Sequence, residues 1–426
     1  MEQKSFILKG DICYTPDKET MVCVENGYLI CEDGLCAGVT KVLPEKLQGF
    51  PILDYSGKLI VPGLVDLHVH APQYAFRGLG MDMELLDWLN CHTFPEEGKY
   101  QDEEYAQKAY EIFVEDLRNG PNTRACIFGT LHVSGTLILM DKLEESGVCA
   151  FVGKVNMDRN SPDFLREANA MESLRCTEKW LKETEKRRYQ RVKPILTPRF
   201  IPSCTDELMD GLSKIQKEYT LPVQSHLSEN QGEITWVKEL SPQAEFYGDA
   251  YDRFQLFGGG VPTIMAHCVW SEEQERRRMK ERGVFIAHCP QSNENLSSGI
   301  APVRTYLQEG MRVGLGSDVA GGVHMSIFRA MSDAIQMSKM RWRLVDETQK
   351  PLTVTEAFYL GTKGGGAFFG NVGSFETGYE LDAIVLDDGR FRHPQQLSVK
   401  ERLERFIYLN NGNEVLHKFA AGRQLF

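Results

Sequence analysis

Between residues 192 and 320 the chain repeats one cadence: a β-rich apolar run ends in a polar or ionisable residue, then a helical pattern follows. The runs are "VKPILTPRF", "PVQSHLSE", "PTIMAHCVW", "VFIAHCP" and "RVGLGSDVA". Three earlier segments, "GLVDLHVH", "TRACIFGTLHV" and "VCAFVGKVNMD", fit the same series and bring the number to eight. Short apolar runs alternating with helical patterns predict βαβ units around a parallel sheet buried on both faces. Eight units from residue 64 to about 365 predict an α/β fold closed as a (β/α)8 barrel of the TIM type. No GxGxxG turn after a first strand supports the open, doubly wound alternative.

The two ends read differently. Residues 1–60 hold short runs broken by the turn signals "ENG", "EDG" and "YSG", and residues 373–388 look like a further strand pair. Both termini are therefore expected to form one small β-sandwich domain, with 1–60 and 369–426 flanking a barrel over 61–368. The length of 426 residues suits a barrel of roughly 250 residues plus this smaller domain.

Composition narrows the class. The chain is 42% hydrophobic and 25% charged, with no apolar run near the 18 or so residues of a membrane span. Its start lacks a basic segment, an apolar stretch and a cleavage site, so a cytoplasmic protein without a membrane partner is expected. The net charge of −12 argues against nucleic acid as a partner. Eleven cysteines without a CxxC read as buried thiols, not as a disulfide framework or a thiolate metal site.

Polar residues at the C-terminal ends of barrel strands carry a functional expectation that the same residues lack elsewhere. His68, His70, His226 and His267 fall there, whereas His92, His393 and His417 fall in loop or helix patterns. His68 and His70 are two apart in a strand, so both imidazoles project to one face. Two satisfied core histidines would look the same. With His226 ending the fifth strand and Asp318 the eighth, three nitrogens and one carboxylate make a set that suits zinc or iron. An open position on such a cation would activate water near neutral pH. Glu229, three residues past His226, would carry protons, or would merely begin a helix. His267 reads as a base or hydrogen-bond partner of the nucleophile, or as a core histidine, and His288 as a supporting or structural residue. The fourth strand ends in Arg199, and Lys193 lies at its other end, so no carboxylated lysine bridges two metals and one ion is expected. Arg199, Phe200 and Gln73 together offer a fork of donors, a flat apolar face and an amide for a planar oxo-heterocycle.

"PGLVDLHVH", the strand-end histidines, "GSD" and "CPQSNENLSSG" resemble the amidohydrolase superfamily, in its deaminase and chlorohydrolase branch. "HVHAPQYAFRGLGMDMELLDWLNCHTFPEE", "LTPRF" and "SHLSEN" are similar to the members that act on guanine. His92 departs from the tyrosine expected there. The resemblance implies hydrolytic deamination of guanine to xanthine and ammonia in purine catabolism or salvage. It implies one zinc on His68, His70, His226 and Asp318, and purine binding by Gln73, Arg199, Phe200 and His226. It also implies proton transfer by Glu229, orientation of the nucleophile by Asp318 and His267, and a homodimer. Trp88 would sit near the ring or simply pack in the core. The alternatives are a relative acting on a triazine, cytosine or another purine, and a barrel that has kept the fold as a binding scaffold.

Overall fold

The computed structural model describes residues 5–47, 49–412 and 414–426. The eight expected strands are all present: Leu64–His70, Asn122–Phe128, Cys149–Gly153, Val192–Pro194 continued by Thr197–Pro198, Val223–Leu227, Thr263–His267, Phe285–His288 and Arg312–Leu315. They are called the first to eighth barrel strands below. Parallel pairing joins the first four and the last four. Two seams close the ring. Leu196 bridges Val223 between the fourth and fifth strands, and the Asp318 and His70 amides donate to His68 and Val319 carbonyls (2.8 and 3.1 Å) between the eighth and first.

Each strand is followed by a helix, from Glu103–Asn119 after the first to Ile327–Leu344 after the eighth. Helix Ala170–Arg187 shows why these stretches stop and start where they do. The Asn169 side chain accepts from the Glu172 amide at its start, and Lys186 and Arg187 sit by its carbonyl end. The first and second strands are buried at every position, which is why they read as near-continuous apolar runs and not as alternating ones.

Both termini build one continuous seven-stranded sheet. Its order is Arg423–Gln424, Val415–Ala420, Ala383–Leu386, Ile52–Pro62, Phe6–Tyr14, Val22–Glu32, Leu35–Thr40. Two expectations need correction, and one helix is added. Residues 373–388 contain one strand, Ala383–Leu386, whose partners are Ile52–Pro62 and Val415–Ala420. His417 lies in a strand, because its neighbours Leu416 and Phe419 pack into the hydrophobic cluster of this sheet. Helix Val399–Leu409, introduced by a Ser398–Glu401 capping box, was not anticipated and packs Leu403, Phe406 and Ile407 into the core.

Arg124 locks the sheet to the barrel. From the second strand it donates to Asp382 (2.6 and 2.9 Å) and to Glu380 (2.8 Å), and Asp382 is buried. Arg124→Met is expected to lower unfolding stability by about 3–5 kcal/mol in urea, because it strands a buried carboxylate. A loss below about 1 kcal/mol, the scale of an exposed pair, would contradict this reading.

Candidate active site

The chemistry gathers at the C-terminal mouth of the barrel. Asp66, His68 and His70 lie on the first strand, and the His68 and His70 rings both reach the centre. Nε2 of His70 stands 3.2 Å from Nε2 of His68 and 3.2 Å from Nε2 of His226. Oδ1 of Asp318 lies 3.1 Å from His68 Nε2 and 3.4 Å from His70 Nε2. A tetrahedron of ligands about 2.05 Å from a central ion has edges of about 3.3 Å, close to these four separations. The tautomer agrees for His226, whose Nδ1 donates to the Arg199 carbonyl at 2.6 Å and leaves a lone pair on Nε2 facing the centre. Among the described residues, the converging groups of metal-type donors are His68–His70–His226 and His68–His267–Asp318, which share His68.

The surroundings hold these groups in place. Asp66 accepts from the Ser317 amide and hydroxyl (2.9 and 2.6 Å) and so fixes the turn that presents Asp318. Gly316 permits this approach, since a Cβ there would meet Cys289 Sγ at 2.8 Å and His68 Cβ at 2.9 Å. His267 and Asp318 both have left-handed backbones, φ 71° and 46°, strain of a kind that concentrates at working sites. Phe128 packs against His68, His70 and His226 with ring centroids 4.6–5.0 Å away.

Burial drives the His68, His70 and His226 imidazoles toward the neutral, ligating form. Burial opposes ionisation of Asp318 too, but His68, His267 and His70 hold its carboxyl well below the usual range. Burial raises Glu229 to about 7. Burial also works against protonating His267, but the Glu229 and Asp318 carboxylates outweigh it and raise that imidazole.

Glu229 faces the centre from just before helix Gln231–Leu240. Asn230 and Glu233 do the capping, so Glu229 has no helix to cap and its Oε2 lies 3.4 Å from His267 Nε2. Ser298 donates to its Oε1 at 2.9 Å, and Glu233 accepts its amide at 3.1 Å. His267 Nδ1 pairs with Asn293 Oδ1 at 2.9 Å, which leaves Nε2 toward Glu229 and toward Asp318 Oδ2 at 3.7 Å.

Beside this cluster is a cavity lined by His70, Gln73, Arg199, Phe200, His226, Glu229, His267 and Asp318. Leu85, Trp88, Leu89 and Leu296 supply apolar walls. Trp88 both lines the cavity and packs on Phe76, with its Nε1 donating to the Leu79 carbonyl at 3.1 Å. Every residue singled out for the site in the sequence is thus brought to one place. His288 lies nearby in the seventh strand, buried, outside the cavity lining and held neutral by burial, which lowers it to about 3. His92 stacks on Phe76 at 6.3 Å from the half-buried helical turn Leu89–Thr93, and Lys193 is exposed at the far end of its strand. Sequence reasoning missed Asp66, Glu97, Phe128, Glu233, Asn293 and Ser298. The signal for Asn293 and Ser298 was their place in "CPQSNENLSSG", and that for Asp66 its in-phase spacing with His68.

Known proteins resemble the chain throughout. The model of the Amidohydrolase family matches residues 59–425. A guanine deaminase of Rattus norvegicus is 40% identical over 381 residues, 86% of this chain and 83% of the rat protein. One from Dictyostelium discoideum is 36% identical over 413 residues, 95% and 87% of the two chains. The crystal structure of a guanine deaminase from C. acetobutylicum with guanine bound in its active site superposes with a TM-score of 0.96. It is 46% identical and covers 99% of this chain and 100% of its own.

Proposed function

The chain belongs to the amidohydrolase family, and on that premise we propose that it hydrolyses guanine to xanthine and ammonia. The observation that carries the proposal is the meeting, at one cavity, of two overlapping groups of metal-type donors that share His68, a buried carboxyl raised to about 7 and a wall of forked and amide donors. His68, His70, His226 and Asp318 would hold the ion, which we read as a single zinc with iron as the alternative. When bound, the ion supplies a Lewis-acidic position that makes water nucleophilic near neutral pH.

The chain's own groups do the rest. Gln73 and Arg199 donate to the oxo edge of the purine, Phe200 and Trp88 flank the ring, and His226 borders it. Leu85, Leu89 and Leu296 exclude bulk water. Glu229 removes a proton from the attacking water and delivers it to the ring nitrogen next to the amino-bearing carbon. Asp318 and His267 orient the incoming oxygen; the hydroxyl it becomes gives up its remaining proton, which Glu229 carries to the amino nitrogen, and collapse of the tetrahedral carbon breaks that C–N bond and expels ammonia. Binding through a guanidinium predicts that Arg199→Ala raises KM for guanine by about 10–100-fold, the worth of one charge-assisted hydrogen bond. An unchanged KM would remove Arg199 from recognition.

No helix among the described residues is long and apolar enough to cross a membrane. We read the protein as a cytoplasmic homodimer, which sedimentation at twice the 48.3 kDa chain mass would support. The function is tested by ammonia release from a panel of amino-heterocycles offered to the metal-loaded protein. Guanine should be the preferred substrate; preference for cytosine or an aminotriazine would overturn the reading.

A further inference from the structure

Glu97 is 3% exposed and lies outside the metal-type clusters, yet its carboxylate touches both side chains proposed above to hold the purine. Its Oε1 accepts from Gln73 Nε2 at 2.8 Å, and its Oε2 accepts from Arg199 Nη1. On its other side, Gln73 Oε1 accepts from the Ala320 amide at 3.1 Å. An ionised carboxylate only accepts and a backbone amide only donates, so the two ends of the Gln73 amide cannot be exchanged. Its oxygen is held toward the Ala320 amide, so the group that Glu97 leaves for the cavity is the second N–H of Gln73. Arg199 has no acceptor at all. The wall these residues present to the cavity therefore offers donors alone.

We propose that Glu97 is a positioning residue that fixes this donor-only wall and thereby selects a 6-oxo purine over its 6-amino counterpart. The inference rests on the guanine-deaminating reading and deepens it. An oxo group meets two donors and is satisfied. An amino group in its place sets donor against donor in a buried site, a mismatch that polar sites reject strongly. Glu97 closes the short helix Phe94–Glu97, and the segment just before it carries Leu85, Trp88 and Leu89 into the cavity. Seating the carboxylate thus also seats the apolar wall against the recognition pair.

Glu97→Gln separates this role from a structural one. The new amide has a single acceptor. If that acceptor stays on Arg199, an N–H2 group faces Gln73, whose own amide must then turn its N–H2 against the Ala320 N–H or lose the bond. The experiment compares guanine with 2,6-diaminopurine by kcat/KM, or by inhibition constant where turnover is too slow, and measures bound metal alongside. The ratio favouring guanine should fall at least about tenfold in the variant, with the loss on guanine mainly in KM and the metal content unchanged. Equal losses on both ligands would mean a structural role only and would overturn the proposal. Absence of guanine turnover by the unmodified protein would instead defeat the underlying reading, so the two failures are distinct. Should Glu97→Gln not fold, Gln73→Met, which removes the oriented amide, must lower the same ratio by at least about tenfold, and an unchanged ratio would overturn the proposal.

Discussion

Glu229→Gln is expected to retain the ion and to bind guanine with little change, while kcat falls by about 10³-fold or more. The substitution keeps the shape of the side chain and its bond from Ser298, but an amide cannot take a proton from water and pass it on. The ligating atoms come from other residues, so metal content reports that the site is intact. Burial raises the Glu229 carboxyl to about 7, and a cation nearby favours its ionised form and draws that value down. The base must be ionised to accept a proton, so kcat/KM should fall as pH drops, with its acidic limb at or below about 7. A Glu229→Gln protein retaining more than about a tenth of wild-type kcat, well short of the loss general catalysis normally accounts for, would remove Glu229 from proton transfer.

The second large effect is expected at the ion itself. His226→Ala removes one of three nitrogens spaced 3.2 Å apart in pairs around His70, and also the bond that ties the ring to the Arg199 carbonyl. Loss of a direct ligand should weaken metal binding beyond the ~10–100-fold typical of losing a supporting partner. Guanine turnover should drop below detection. The melting temperature should become insensitive to added zinc at concentrations that stabilise the wild type, because a ligand stabilises only the fold it binds. Normal zinc content with full activity in this variant would show that His226 is not a ligand.

The sequence made the barrel readable because the strands are buried at most positions and each is followed by a helix, so the cadence survives without any contact information. It made the proposed metal set readable because in-phase histidines and strand-end residues need only strand periodicity and the barrel rule to be brought together. The terminal sheet was harder. Ala383–Leu386 pairs with Ile52–Pro62 across more than 300 residues of chain, and local patterning says nothing about such partners. His417 was misplaced for the same reason, since its strand depends on Ala383–Leu386 for its identity. Glu97 was invisible because an acidic residue in "FPEE" reads as solvated surface. Only the fold reveals that it is buried against Arg199 from 102 positions away.

On the proposed reading, guanine hydrolysis at this site depends on four side chains acting together on one ion. Zinc should be titrated into chelator-stripped protein and xanthine formation from guanine measured at each addition. Activity should rise from near zero and level off at one equivalent per chain. Turnover that ignores the metal, that needs a second equivalent, or that never yields xanthine would contradict it.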